Sequence, residues 1–221
     1  MTHSDLSVVD HLFLDLSSNP IKNATKNRIL DCAIEQFSRK GYTGVSIRDI
    51  TREVGIKESS LYKHFRNKEE ILETIFHNFR LDTLRILPPL DRLDEILELL
   101  GPVKFLERGL HNFKQHAADP IMQKIWRILY IEQYREPVAR DLYLNDILTK
   151  TIDCLEAAFV KLIEHQRCKP LHPRTLAVEY QYPIFTMISE YIMLKSDQQD
   201  TAHVEQMMSD HLTFFCMAVL V

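Results

Sequence analysis

The sequence predicts an all-α protein. Apolar residues recur at spacings of three and four along nearly the whole chain, and no convincing run alternates apolar with polar in twos. Glycine is scarce, five in 221 residues, and three of the five, Gly41, Gly44 and Gly55, fall within fifteen residues. Tight turns are therefore expected in that stretch.

The first helix is expected over about Thr25 to Lys40, with Ile29, Leu30, Ala33, Ile34 and Phe37 forming one apolar stripe and Gly41 ending it. The second begins at Ser46, whose hydroxyl caps it with Asp49 as the acidic half of a capping box; it buries Ile47, Ile50 and Val54 and stops at Gly55. A third, about two turns from Lys57 to Phe65, turns only Leu61 and Phe65 inward, with Ile56 packing ahead of it. A fourth starts at the Asn67/Glu70 cap pattern and runs through Ile71, Leu72, Ile75, Phe76 and Phe79 until Pro88 and Pro89 forbid more. Beyond them, helices are expected at about Leu90–Leu100, Val103–Ala117, Ile121–Arg135, Val138–Arg167, Arg174–Ser196 and Ala202–Leu220, with Pro183 kinking the fifth of these six.

Two short helices joined by a glycine-containing turn, braced by a longer helix on each side, make a helix-turn-helix, whose second helix enters a DNA major groove. The outward positions of the third helix, Lys57, Glu58, Ser59, Ser60, Tyr62, Lys63 and His64, are donors and acceptors, although a polar face is also what any solvated helix carries. Charge agrees with the groove reading. Pro20 to Glu70 holds 11 Lys and Arg against 7 Asp and Glu, leaving 16 against 24 in the rest, so a chain of net charge −4 has one cationic end.

Ile29, Ala33, Phe37, Gly41-Tyr42, Ser46-Ile47-Arg48-Asp49-Ile50, Gly55-Ile56, Leu61-Tyr62, His64-Phe65, Lys68-Glu69 and Leu72 resemble, in order and spacing, the DNA-binding signature of the TetR/AcrR family of bacterial transcriptional regulators. The resemblance covers roughly Ala24 to Phe76. It implies an all-helical homodimer of about nine to ten helices per chain, usually a repressor, whose larger C-terminal domain binds a small molecule and releases DNA. On that basis residues 1–22 are a tail of unknown role, 23–70 the helix-turn-helix domain, and 71–221 the effector-binding and dimerisation domain. Carried over position by position, the resemblance makes Lys57, Glu58 and Ser59 base readers, with Arg48 reaching the groove from the second helix. Ser60, Tyr62, His64 and Lys68 then hold phosphates, with Ser46 also in reach and Lys63 nearby. Lysine and arginine donate to guanine O6 and N7, and hydroxyls suit phosphate oxygens.

Three residues depart from the family's habit. Thr51 stands where a small residue such as alanine is usual, and Lys57 where serine is common, so the recognition helix lacks its usual hydroxyl cap. Glu58 is repelled by phosphate unless it accepts from cytosine N4; otherwise it pairs with a neighbouring lysine in the free protein.

The last two expected helices are rich in apolar residues, and pairing them with their copies in a second subunit as a four-helix bundle is what the resemblance implies; a monomeric core is the alternative. Phe105, Phe113, Trp126, Tyr130, Tyr134, Phe159, Tyr180 and Phe185 are candidates to line an effector cavity, with His111, His116 or His165 as polar contacts, although aromatics at helical spacing also serve as plain core. The effector's identity is not legible.

No glycine-rich phosphate loop, Gly-x-Ser-x-Gly elbow or His-Glu-x-x-His motif occurs, and Cys32, Cys154, Cys168 and Cys216 are scattered. No enzyme activity, cofactor or metal is expected. The cysteines and the lack of a basic leader read as reduced thiols in the cytoplasm, and the ten-residue apolar tract Leu212–Val221 is short of the roughly 20 residues that span a membrane. The competing class is a helical ligand-binding or adaptor protein that does not bind an operator.

Overall fold

A computed structural model describes residues 13–221, which form two compact units, one ending at Asn78 and one running from Phe79 to Val221. Both are helical. Among the described residues no strand forms beyond the isolated pairings Leu14–Pro20 and Cys168–Leu220.

In the first unit α1 spans Ala24–Lys40, its first turn capped by Asn23, which accepts from the Lys26 N–H. The stripe Ile29, Leu30, Ala33, Ile34 and Phe37 is buried as its period demands. α2 (Ile47–Val54) carries the full capping box, with Ser46 and Asp49 each bonding the other's backbone N–H, and ends at Gly55 in the left-handed region, φ 75°. α3 is shorter than expected. Only Glu58–Leu61 is α-helical; the chain then tightens, with Lys63 and His64 donating back three residues to Ser60 and Leu61 before Phe65 closes on Leu61. Nothing caps it at Lys57, as the missing hydroxyl predicts. α4 (Lys68–Ile86) starts where Asn67 accepts from the Glu70 N–H, and the division between units falls within it.

The first unit thus continues to Asn78, past the boundary expected at 70. Asn78 shows why: its amide bonds both the N–H and the carbonyl of Leu14, and Phe13 and Ile21 are buried. Phe13 and Ile21 of the expected tail are therefore packed while Leu16–Pro20 stay exposed; residues 1–12 lie outside the described part.

In the second unit α5 (Leu93–Ala118) is interrupted at Gly101, φ 73° and ψ 165°, followed by Pro102, so two segments form as the Gly-Pro pair predicts. α6 (Pro120–Glu132) ends three residues early, because Pro137 holds Glu136 extended. The helix expected from Val138 to Arg167 is composite. A short α7 (Pro137–Asp141) passes through a π-helical stretch, Leu142–Thr149, into α8 (Lys150–Glu164). The wider turn lets Asp146, nine-tenths buried, accept from both Arg80 and Lys150. α9 (Pro173–Ser196) runs through Pro183 as one helix, and α10 (Ala202–Val219) is tied back where Lys169 donates to the Val219 carbonyl and Val221 to that of Arg167. Leu97, Phe105, Leu106, Phe159, Tyr180 and Phe215 lie at the centre of this unit's core.

Candidate nucleic-acid interface and ligand cavity

α3 is held from beneath by Leu61 and Phe65, at 0% and 1% exposure, with the Lys26 ammonium 4.8 Å from the Phe65 ring. Those two anchors leave Lys57, Glu58, Ser59, Tyr62 and Lys63 exposed, with Ser60 and His64 half-buried. Tyr62 is a large ring half in water, which costs apolar hydration that packing could have removed. Among the described residues Lys57 and Lys63 make no ion pair, so both bring an uncompensated charge to this surface.

Four expected contact residues are already engaged inside the domain, in three places. Arg48 on α2 donates from Nε to Oε1 of Glu58 on α3 at 3.1 Å, across side chains 80% and 45% exposed. Glu58 has thus found a cation, and it is an arginine of the preceding helix rather than a lysine beside it. Ser46 Oγ donates to Asp49 Oδ2 at 2.6 Å and accepts from the Asp49 N–H, bonds that hold the Asp49 carboxyl below its usual range. Lys68 is the third case. Its ammonium donates to the carbonyls of Tyr42 and Val45, both at 2.8 Å, and stands 4.1 Å over the Tyr42 ring. It clamps the α1–α2 loop, a task that spacing alone did not reveal. Thr51 fits the buried position where alanine is usual because its hydroxyl donates to the Arg48 carbonyl.

The second unit contains a cavity of about 440 Å³. Of the eight aromatics expected there, Phe105, Phe113 and Tyr180 line it. The other five do not. Trp126 is fully buried, stacked on Tyr130 and edge-on to Phe79 and Phe113. Tyr130 also meets Tyr143, Phe185 packs on Phe113, and Phe159 packs on Phe215 in the core. Tyr134 is 83% exposed. None of the three histidines lines the cavity. His111 is exposed, and His165 lies 3.8 Å from Asp94 on the surface. His116 takes the Trp126 indole N–H on Nδ1, and burial pushes its pKa down to about 4.

The residues missed by the aromatic criterion are aliphatic or polar: Ile86, Ile96, Leu100, Ile184, Thr83, Arg92, Arg108 and Gln181. Gln181 alone carried a signal, an amide on an otherwise apolar helical stripe.

The model of the family described as bacterial regulatory proteins, tetR family, matches residues 29–75. The biofilm operon icaADBC HTH-type negative transcriptional regulator IcaR of Staphylococcus epidermidis is 49% identical over 53 residues, which is 24% of this chain and 29% of that relative. The match therefore spans less than a third of the relative's length. Solved structures extend the likeness in fold. SmeT, the repressor of the Stenotrophomonas maltophilia multidrug efflux pump SmeDEF, superposes in its triclosan complex with a TM-score of 0.69 at 18% identity, over 90% of this chain and 93% of that one. A regulator from Saccharomonospora viridis in complex with choline gives 0.62 at 21%, over 89% and 97%. Residues 29–75 thus match the TetR family's DNA-binding domain, with relatives about half identical across it, and the fold along nine-tenths of the chain is that of these solved regulators.

Proposed function

We propose that the protein is a transcriptional repressor that binds a roughly palindromic operator as a homodimer and leaves it when a small molecule fills the cavity of the second unit. The observation that carries the DNA reading is α3: two residues anchor it and the rest of its surface is donors, acceptors and lysines that make no ion pair among the described residues. Lys57 and Ser59 are assigned to bases, and Ser60, Tyr62, Lys63 and His64 to phosphates, with Arg48 joining them once it leaves Glu58. The relatives' description as negative regulators supports the repressing sense.

Dimerisation rests on α9 and α10, which expose Tyr182 and Met193, and Met207, Phe214 and Met217, large apolar side chains that a monomer leaves in water. Release is supported by α4, one continuous helix that begins at Lys68 and supplies Thr83 and Ile86 to the cavity wall.

Selection of bound fragments from genomic DNA with purified protein, followed by titration of the selected duplex between 50 and 200 mM salt, tests the proposal. Operator binding falls steeply with salt, with a slope of about −0.9 per phosphate contacted. An adaptor that has no operator gives no enriched sequence and no slope.

A further inference from the structure

We propose that the cavity takes an amphipathic monoanion, an apolar body carrying one carboxylate, and discriminates against cations of the same shape. This rests on the reading of the cavity as the effector site, which it deepens by naming a ligand class.

The walls come from α4, α5, α8 and α9, and their apolar surface is aliphatic more than aromatic, which suits a flexible hydrocarbon as well as a ring. Among the described residues no aspartate or glutamate lines the cavity, whereas three arginines do, Arg85, Arg92 and Arg108. All three are exposed, so they stand where the cavity meets water. Arg85 donates to Asp82 at 2.9 Å, and Arg92 to both oxygens of Glu95 at 3.0 and 3.2 Å. Arg108 makes no ion pair with any other described residue. One unpaired guanidinium matches one carboxylate, which it can grip with two parallel hydrogen bonds. An ammonium in the same place meets no countercharge and loses its hydration without return.

Two buried polar side chains sharpen the class. Thr83, 6% exposed, has a hydroxyl with no partner, and Gln181, 5% exposed, makes no hydrogen bond to another described residue; both line the cavity. Buried polar groups are normally satisfied, so this pair is placed to donate to an oxygen of a ligand. The one thiol in the wall adds no charge, since burial pushes Cys154 up to about 11.

The test is calorimetric titration of the full chain at pH 7.5 in low salt with three probes of equal length, decanoate, decylamine and 1-decanol. Quenching of Trp126, the chain's one tryptophan, gives a second readout, because it sits edge-on at 6.0 Å to the cavity-lining Phe113. Decanoate is expected to bind at least tenfold more tightly than decylamine. Arg108→Gln is expected to remove most of that preference and leave 1-decanol unchanged, and Gln181→Leu to weaken both oxygen-bearing probes. Decylamine binding as well as decanoate, no binding of decanoate, or an unaltered preference in Arg108→Gln overturns the inference. Adding decanoate to the protein bound to its selected DNA separates the two readings: tight, Arg108-dependent binding without release upholds the ligand class and refutes effector release.

Discussion

Glu58→Gln should make this protein bind DNA more tightly. The pair it breaks joins Arg48 Nε to Glu58 Oε1 at 3.1 Å across largely exposed side chains, so its contribution to folding is about 0.2–1 kcal/mol and the variant should melt within a few degrees of the parent. In the complex the same pair works against binding. Arg48 has to leave Glu58 before it can reach a base or phosphate, which returns that 0.2–1 kcal/mol, and a carboxylate about 6 Å from a phosphate is repelled by roughly 0.7 kcal/mol in high dielectric. Together the two effects amount to about 1–1.7 kcal/mol, or roughly five- to twentyfold in affinity. The gain should appear on the selected operator and on a scrambled duplex alike. Fluorescence anisotropy on both duplexes between 50 and 200 mM salt is the assay, and the salt slope should steepen by about one phosphate's worth if Arg48 is released to the backbone. A loss confined to one base pair of the operator, about 1–3 kcal/mol with the scrambled duplex unaffected, would refute this reasoning and make Glu58 an acceptor from cytosine N4.

Other consequences are as direct. Lys68→Met removes two charge-assisted bonds to the Tyr42 and Val45 carbonyls, each contributing about 1.5–3 kcal/mol, so the domain's melting temperature should fall by more than about ten degrees while the salt slope of any residual DNA binding stays at the parent value. Leu61→Ala empties the fully buried anchor of α3 and should destabilise the first unit by about 2–5 kcal/mol in denaturant titration. His116 has a folded pKa of about 4 against 6.5, so the unfolded chain binds the extra proton between those values; stability should be flat above pH 7 and fall by about 3 kcal/mol as pH drops from 6.5 towards 4, a fall that His116→Phe removes in pH-dependent unfolding. Phe214→Asp with Met217→Asp places charge on the exposed apolar face of α10, and sedimentation should then report a monomer where the parent sediments as a dimer.

What was legible in the sequence and what was not divides along one physical line. Periodicity and capping are local, and they placed α1, α2 and the break at Gly101-Pro102, because an apolar stripe, a Ser-x-x-Asp box and a Gly-Pro pair each act within a turn or two of themselves. The π-helical stretch at Leu142–Thr149 has no local signal of that kind; its Asp146 accepts from Arg80, 66 residues away. Lys68 and Glu58 show the same limit within the candidate DNA surface. A motif assigns a side chain by its position, but whether a charge is available depends on what folds up against it, and Lys68 is met by carbonyls 23 and 26 residues earlier in the chain. The aromatic criterion reached Phe105, Phe113 and Tyr180 in the cavity wall, and the other five lie elsewhere for a related reason. Large flat rings fill space best where they touch one another, so Trp126 and Phe159 are fully buried with Tyr130 stacked on Trp126, and the cavity wall combines Phe105, Phe113 and Tyr180 with aliphatic side chains and two buried polar ones, Thr83 and Gln181. A ligand cavity in a helical protein is better sought by unsatisfied buried amides and hydroxyls than by aromatic content, since a packed core tolerates the rings but not the unmet hydrogen bonds.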